Sequence, residues 1–430
     1  MADTHQTEHR MVLVALSGLL LASFVTSMGN TIVSTALPEI ARDLDASQSS
    51  YGWVMTATLL SLTLATPLWG ALADRFDRKL LVQLSLASYT LGSMLAGLAS
   101  SIELLIITRV FMGIAVGGVV TLVQAILAAL VPPREQGRYA GSLTAVFGAG
   151  TISGPLLGGL LTEALSWRWC FYLGVPLSIA SLVVLQLKLH LAPPAGAKHG
   201  LDWRSALLLG KGTTSILRKR AAVLGLLAGL SVGAVLFSST VYISQYMQIA
   251  RGYSPAQAGL LTVPLVAGLV WASTAGGRRT VRTGRYRDQM LLGSVVMTAG
   301  VALMGLAGLH TSLFELGLFM AMIGVGVGVL LHSLVVVVQN AAGPLLIGRA
   351  SSLALFMRTL GGSIGVWALG LLIASEAGGL TEGATMANAI GDAFLVLSLA
   401  GVVATAALVA LPEIPLRTKP HIDAASSTYE

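Results

Sequence analysis

Residues 103–130 read ELLIITRVFMGIAVGGVVTLVQAILAAL, with only Glu103 and Arg109 charged. An apolar stretch this long exceeds the roughly 20 residues a helix needs to cross a bilayer. Working outward, similar runs fall near 11–37, 51–72, 80–100, 141–163 and 171–191 on one side. A polar segment, 192–220, contains Pro193 and Pro194. Further runs fall near 221–249, 255–276, 289–308, 314–339, 350–373 and 389–411. The chain has 430 residues, of which 55% are hydrophobic and 10% charged, with mean hydropathy +0.80. Soluble domains carry roughly 25% charged residues, so a soluble globular enzyme is excluded. Long continuous runs, not alternating ten-residue segments, exclude a β-barrel. The single cysteine, Cys170, excludes an internal disulfide and a Cys-rich metal site. The expected fold class is an all-α polytopic membrane protein with twelve transmembrane helices in two six-helix bundles. The N-terminal bundle is 1–191, the linker 192–220, the C-terminal bundle 221–411 and the tail 412–430. The first run is too long for a signal-peptide core and reads as an uncleaved helix after a polar stretch at 1–10.

Lysine and arginine set the expected orientation. With both termini inside, 21 of the 26 basic residues fall on the inner side and three on the outer, while Arg109 and Arg358 lie within helices. This bias places both termini and the linker in the cytoplasm and the chain in the plasma (inner) membrane. It also accounts for the net charge of +7, because basic loops face anionic headgroups. No nucleic-acid partner is needed. A P-loop and a nucleophile elbow are both absent from the sequence, so neither ATP nor a cofactor is implied and enzyme chemistry is not expected.

The two halves look like a repeat. GALADRFDRK (70–79) lies between the second and third runs, and GRRTVRTGR (277–285) between the eighth and ninth. Aligning Gly70 with Gly277 puts Arg75 on Arg282 and Arg78 on Arg285. A parallel repeat of six-helix halves is the organisation of the major facilitator superfamily. The first loop resembles that family's signature G-x-L-x-D-R-x-G-R-K through Gly70, Leu72, Asp74, Arg75, Arg78 and Lys79, with Asp77 where the family has Gly. The resemblance implies a conformational latch, in which Asp74 bonds to N–H groups of a neighbouring helix and pairs with a nearby Arg. The second copy keeps Gly284 but replaces the acid with Val281, so the latch rests on the first.

Two further motifs extend the resemblance. LIITRVFMGIAVGG (105–118) resembles the family pattern around an embedded arginine through Arg109, Gly113 and Gly117, with Met112 replacing the usual Gln. An Arg inside a membrane helix costs at least ~2.5 kcal/mol, so it faces protein or water, or snorkels to the headgroups. Arg358 is a similar case. GAGTISGPLLGGLL (148–161) resembles the antiporter signature of the fifth helix. Gly150, Gly154, Gly158 and Gly159 offer a smooth face for close packing, and Pro155 frees a carbonyl for a hinge. In the superfamily this element marks exporters. TIVSTALPEI (31–40), SWRWCFYLGVP (166–176) and YMQIARGYSPAQAGLLTVP (246–264) narrow the likeness to the EmrB/QacA-type drug–proton antiporters. That branch has two extra helices between the halves. Here LDWRSALLLG (201–210) looks like the start of the first, and the pair is missing.

The branch also carries an Asp in the first helix where this chain has Gly29. No carboxylate falls at the membrane midplane, yet proton coupling needs a titratable group. Glu163, below the glycine face, is the leading candidate, followed by Asp392 and His332. A midplane cavity between the halves is expected to hold the substrate. Its candidate lining is Met28, Asn30, Thr31, Ser34, Gln124, Tyr242, Gln245, Tyr246 and His332, about half of which would serve helix–helix hydrogen bonding. The lack of a midplane acid argues against dicationic drugs and for a weakly charged, apolar compound. Three functions compete: proton-driven export of drugs or secondary metabolites, proton-independent uniport or import of a small metabolite, and a non-transporting scaffold.

Overall fold

The computed structural model describes residues 2–44, 48–131, 135–189, 211–343, 346–377 and 383–412. Among them, twelve helices are long and apolar enough to cross a membrane. They are α1 (Ala2–Asp43), α2 (Gln48–Ala73), α3 (Arg78–Gly97), α4 (Ile102–Leu130) and α5 (Gly137–Ala164), then α6, built from Trp169–Tyr172 and Gly174–Lys188. After a short helix at Lys211–Leu217 come α7 (Arg220–Gln245, prolonged by a π-turn at Tyr246–Ala250) and α8 (Pro255–Leu261 and Val263–Thr283). The last four are α9 (Arg287–Gly305), α10 (Leu313–Ala342), α11 (Ile347–Ala377) and α12 (Gly383–Val409). The polar stretch expected before the first span is helical from Ala2 onward. Once a helix is nucleated, extension costs little per residue. The remnant expected at 201–210 lies outside the described residues.

Local chemistry sets the helix ends. Ser101 accepts the N–H of Leu104 at the start of α4, with Glu103 in the first turn. Ser312 and Glu315 form a capping box on α10, and Ser254 and Gln257 form one on the first piece of α8. Gly284 closes α8 at φ +67°, a backbone region that suits glycine. Asp77, which departs from the family loop pattern, caps α3 by accepting the N–H of Lys79 at 2.8 Å.

The buried apolar side chains separate into two clusters, one drawn from residues 16–189 and the other from 216–411. The packing repeats between them. α1 lies on α5, α2 on α4 and α3 on α6, as α7 lies on α11, α8 on α10 and α9 on α12. The two sets meet mainly along α5–α8 and α2–α11, contacts that the repeat itself interchanges. Large apolar side chains such as Leu64, Ile107, Trp271 and Leu399 point outward, as a lipid-facing surface requires.

Glycines set the distance at both crossings, at the end of the bundle that carries the basic loops. A Cβ on Gly137 would strike the Gly277 carbonyl, and one on Gly277 the Gly137 carbonyl. A Cβ on Gly70 would meet Ser352 and would lie 2.8 Å from the Gly348 carbonyl. Gly70 and Gly277, aligned in the sequence repeat, thus occupy matching positions. We expect Gly277→Ala to weaken contact of the halves at this end by about 1–3 kcal/mol, the usual cost of overpacking. In a Cys170→Ser background, spin labels at exposed positions 135 and 283 should show a longer distance. An unchanged distance distribution would mean that the crossing tolerates a methyl group.

Candidate functional site

The basic end is fastened by Asp74, just past the end of α2. Its Oδ1 accepts the N–H of Gly348 at 2.7 Å and its Oδ2 that of Arg349 at 3.1 Å. Both donors belong to the first turn of α11, where backbone N–H groups have no intrahelical partner and the helix dipole favours negative charge. The Arg349 Nε lies 3.8 Å from the same carboxylate. Arg78 donates to the Ala73 carbonyl at 3.0 Å, tying the loop to its own helix. Burial pushes the Asp74 carboxyl up to about 6, against the pull of the Gly348 and Arg349 N–H groups and of the Arg78 and Arg349 charges. On the α5–α8 side, Thr144 and Ser273 share a hydrogen bond of 2.8 Å, and His332 of α10 meets Thr144 at 3.1 Å.

Arg109 is 1% exposed, so it faces protein and does not snorkel. Its Nε donates to the Val54 carbonyl at 3.4 Å, and its Nη1 is buried with no hydrogen-bond partner among the described residues. Tyr89 is close enough to interact with its charge. A Cβ on Gly29 would collide with the Tyr89 hydroxyl, so the position where the drug–proton branch has an acid lies in this same buried corner. Gly117 seats α4 on α2, where a Cβ would be 2.9 Å from the Leu62 carbonyl.

The glycine face of α5 divides differently from the single surface expected. Gly150 and Gly154 pack on α1 within the same half: a Cβ at 150 would lie 2.7 Å from Ser27 Cβ, and one at 154 would lie 2.8 Å from the Ile32 nitrogen. Gly158 is buried, with its carbonyl 3.9 Å from the Cys170 sulfur, whereas Gly159 faces open space. The seam with the other half is made by Gly137, Gly141 and Gly148, which face Gly277, Thr274 and Val266. Small residues at 137 and 141, four apart, are the signal in the sequence that could have located this seam. α5 continues as one helix through residue 155. The side chains of Pro155 and Glu163 lie outside the described residues, as does that of Ser34.

Several candidate cavity residues are committed to helix contacts. Thr31 donates to the Gly150 carbonyl at 3.2 Å. The Tyr242 hydroxyl donates to the Val366 carbonyl, and that of Tyr246 to the Gly308 carbonyl at 2.8 Å, with Arg251 over the Tyr246 ring. Met28 is buried, while Asn30 and Gln245 are half-buried. Gln124 and His332 instead line a cavity of about 30 Å³ between the halves, together with Gln136, Ser273, Thr280 and Ser333. That is room for a few waters at most. Asp392 is exposed on α12, away from this cavity. Of the two coupling candidates whose side chains are described, His332 lies at the interface.

Twelve membrane-length helices paired alike in both halves define a polytopic membrane protein built as a two-fold repeat. The family model for the Major Facilitator Superfamily matches residues 19–366. The chain belongs to that superfamily. It is 31% identical over 408 residues to an uncharacterized MFS-type transporter of Mycobacterium tuberculosis, an alignment covering 84% of this chain and 59% of the relative. The chain thus spans less than two thirds of that relative's length. Multidrug resistance protein 3 of Bacillus subtilis is 28% identical, with 86% and 81% covered. Among solved structures, the proton:xylose symporter XylE superposes with a TM-score of 0.74 at 14% identity, covering 97% of this chain and 99% of that one.

The raised Asp74 value belongs to the closed arrangement, and an Asp74 released to water titrates near its ordinary 3.8. The closed arrangement therefore binds the proton more tightly. Closure should gain as pH falls from 6 toward 4 and lose that contribution above 6. Spin-label distances between 135 and 283 should shorten over that fall, and Asp74→Asn should abolish the dependence. Asp74→Ala leaves two helix N–H groups unpaired and should weaken closure by about 1–3 kcal/mol. A pH response that persists in Asp74→Asn would assign it to another group.

Proposed function

We propose that the chain is a secondary active exporter of drug-like or secondary-metabolite small molecules, working by alternating access and driven by proton antiport. The observation that carries this reading is the cross-half cap of Asp74 on α11, which shuts one end of the interface through a few contacts that can be broken. Membership of the superfamily and relatives such as Multidrug resistance protein 3 support the substrate class. The basic end then faces the cytoplasm, with both termini and the 192–220 linker inside, in keeping with the lysine and arginine bias. The EmrB/QacA-type branch, with its central helix pair missing, is the placement we favour. Small molecule and proton are its ligands and the bilayer its surroundings, with no part for ATP or nucleic acid.

Proton coupling is assigned to Glu163 of α5, with His332 and Asp392 next. One observation favours a second reading. Gly29, at the position where the branch often carries an Asp, is packed under Tyr89 and supplies no acid. A proton-independent uniporter needs no such acid. Proteoliposomes loaded with a fluorescent multidrug substrate separate the two. Export should run uphill only with an imposed pH gradient, and Glu163→Gln should abolish uphill transport while leaving downhill exchange. Uphill pumping by Glu163→Gln would move the coupling group elsewhere, and a parent without gradient dependence would establish the facilitator.

A further inference from the structure

Arg358 stands in mid-α11, eleven residues from Ile347, or about 16 Å from the basic end by helical rise. His332 stands ten residues from Ala342, the end of α10, at about 15 Å. The two residues therefore share a level at the centre of the bundle, on α10 and α11, which touch each other. Arg358 is half-buried, and its Nε is buried with no hydrogen-bond partner among the described residues. Among the described residues no acid pairs with it; Asp392, on the neighbouring α12, is exposed. α7 contains no acid. Glu315 sits in the first turn of α10, bonded to Ser312, and Glu376 lies eighteen residues along α11, about 27 Å away. The cavity beside His332 has no acid in its lining, which offers the side chains of Gln124, Gln136, Ser273, Thr280 and Ser333. His332 itself touches Thr144 of the other half.

A cation held at the membrane centre without a partner is costly, and arginine's planar fork matches a carboxylate or a similar oxyanion. We infer that Arg358 and His332 form the docking point for the anionic group of the transported molecule, which makes the substrate an organic anion with an apolar body. This deepens the export reading and rests on it for the word substrate. A cation brought to the same level meets an arginine with no acid to balance it. The sequence-based expectation of a weakly charged compound is sharpened here to one sign of charge.

The test uses two dyes with one xanthene core, anionic fluorescein and cationic rhodamine 6G, titrated against the full chain in nanodiscs by fluorescence anisotropy. Fluorescein should bind saturably and more tightly than rhodamine 6G. Arg358→Gln should weaken fluorescein about tenfold or more, the loss expected for a charge-assisted hydrogen bond, without weakening rhodamine 6G. Arg358→Lys keeps the charge but loses the fork, and should weaken fluorescein by less than Arg358→Gln without weakening rhodamine 6G; an unchanged fluorescein affinity in Arg358→Lys would count against the site even if Arg358→Gln does not fold. No saturable fluorescein binding, binding no tighter than rhodamine 6G, or binding unaffected by Arg358→Gln would overturn the inference. Binding needs no gradient, so a chain that fails to export but prefers fluorescein through Arg358 refutes export alone. A chain that exports but lacks this preference refutes the anion site alone.

Discussion

Asp74 reaches across the interface and accepts the first two free N–H groups it meets on α11, and the closed form of the basic end is arranged around that contact. Hydrogen bonds to a charged group are worth about 1.5–3 kcal/mol each. Burial raises the carboxyl from 3.8 to about 6 even after those bonds and the neighbouring Arg78 and Arg349 charges have pulled it down. The desolvation of the ionised form thus outweighs what the bonds return to it. The contact fixes where α2 meets α11 without holding the halves immovably, which suits a joint that has to open. The glycines around it serve the same end: Gly70 lets the acid come near enough, and Gly137 with Gly277 lets the other crossing close to the same depth.

The repeat makes the two crossings alike in packing and unlike in charge. Gly70 and Gly277 occupy matching positions, but the residue matching Asp74 is Val281. The N-terminus of α11 is capped from across the interface by an acid, whereas the α5–α8 seam relies on backbone proximity and the Thr144–Ser273 bond. Duplication supplied two equal halves, and the charged fastening belongs to one crossing. The acid that caps a helix across the interface belongs to the α2–α11 side, so its protonation bears on one crossing.

Hydropathy and loop charge made the spans and the two-half repeat legible in the sequence, because length and apolar continuity mark a candidate membrane helix. The acid of the first loop was legible too, since it stands out in a basic stretch. Three things were not. The partner of Asp74 is a run of backbone N–H groups, which any sequence can provide and which no residue type announces. The glycines of α5 divide between α1 and α8 by helical phase, so a motif spelled GAGTISGPLLGGLL conceals two surfaces. Tyr242 and Tyr246 look like cavity polar groups, but their hydroxyls are taken up by carbonyls of Val366 and Gly308. The loop residue Asp77 reads as a departure from a pattern, and its role as the α3 cap emerges only once the helix start is seen.

The bond from Asp74 to Gly348 spans 274 positions of the chain. At a synthesis rate of roughly 5–20 residues per second, the acid leaves the ribosome on the order of ten to fifty seconds before the helix that will bury it. During that interval the first six helices can pack on one another, but their loop remains unshielded. Only a chain translated through its eleventh helix can hide the carboxylate. The same contact that shuts the finished protein therefore forms only after the eleventh helix has been made.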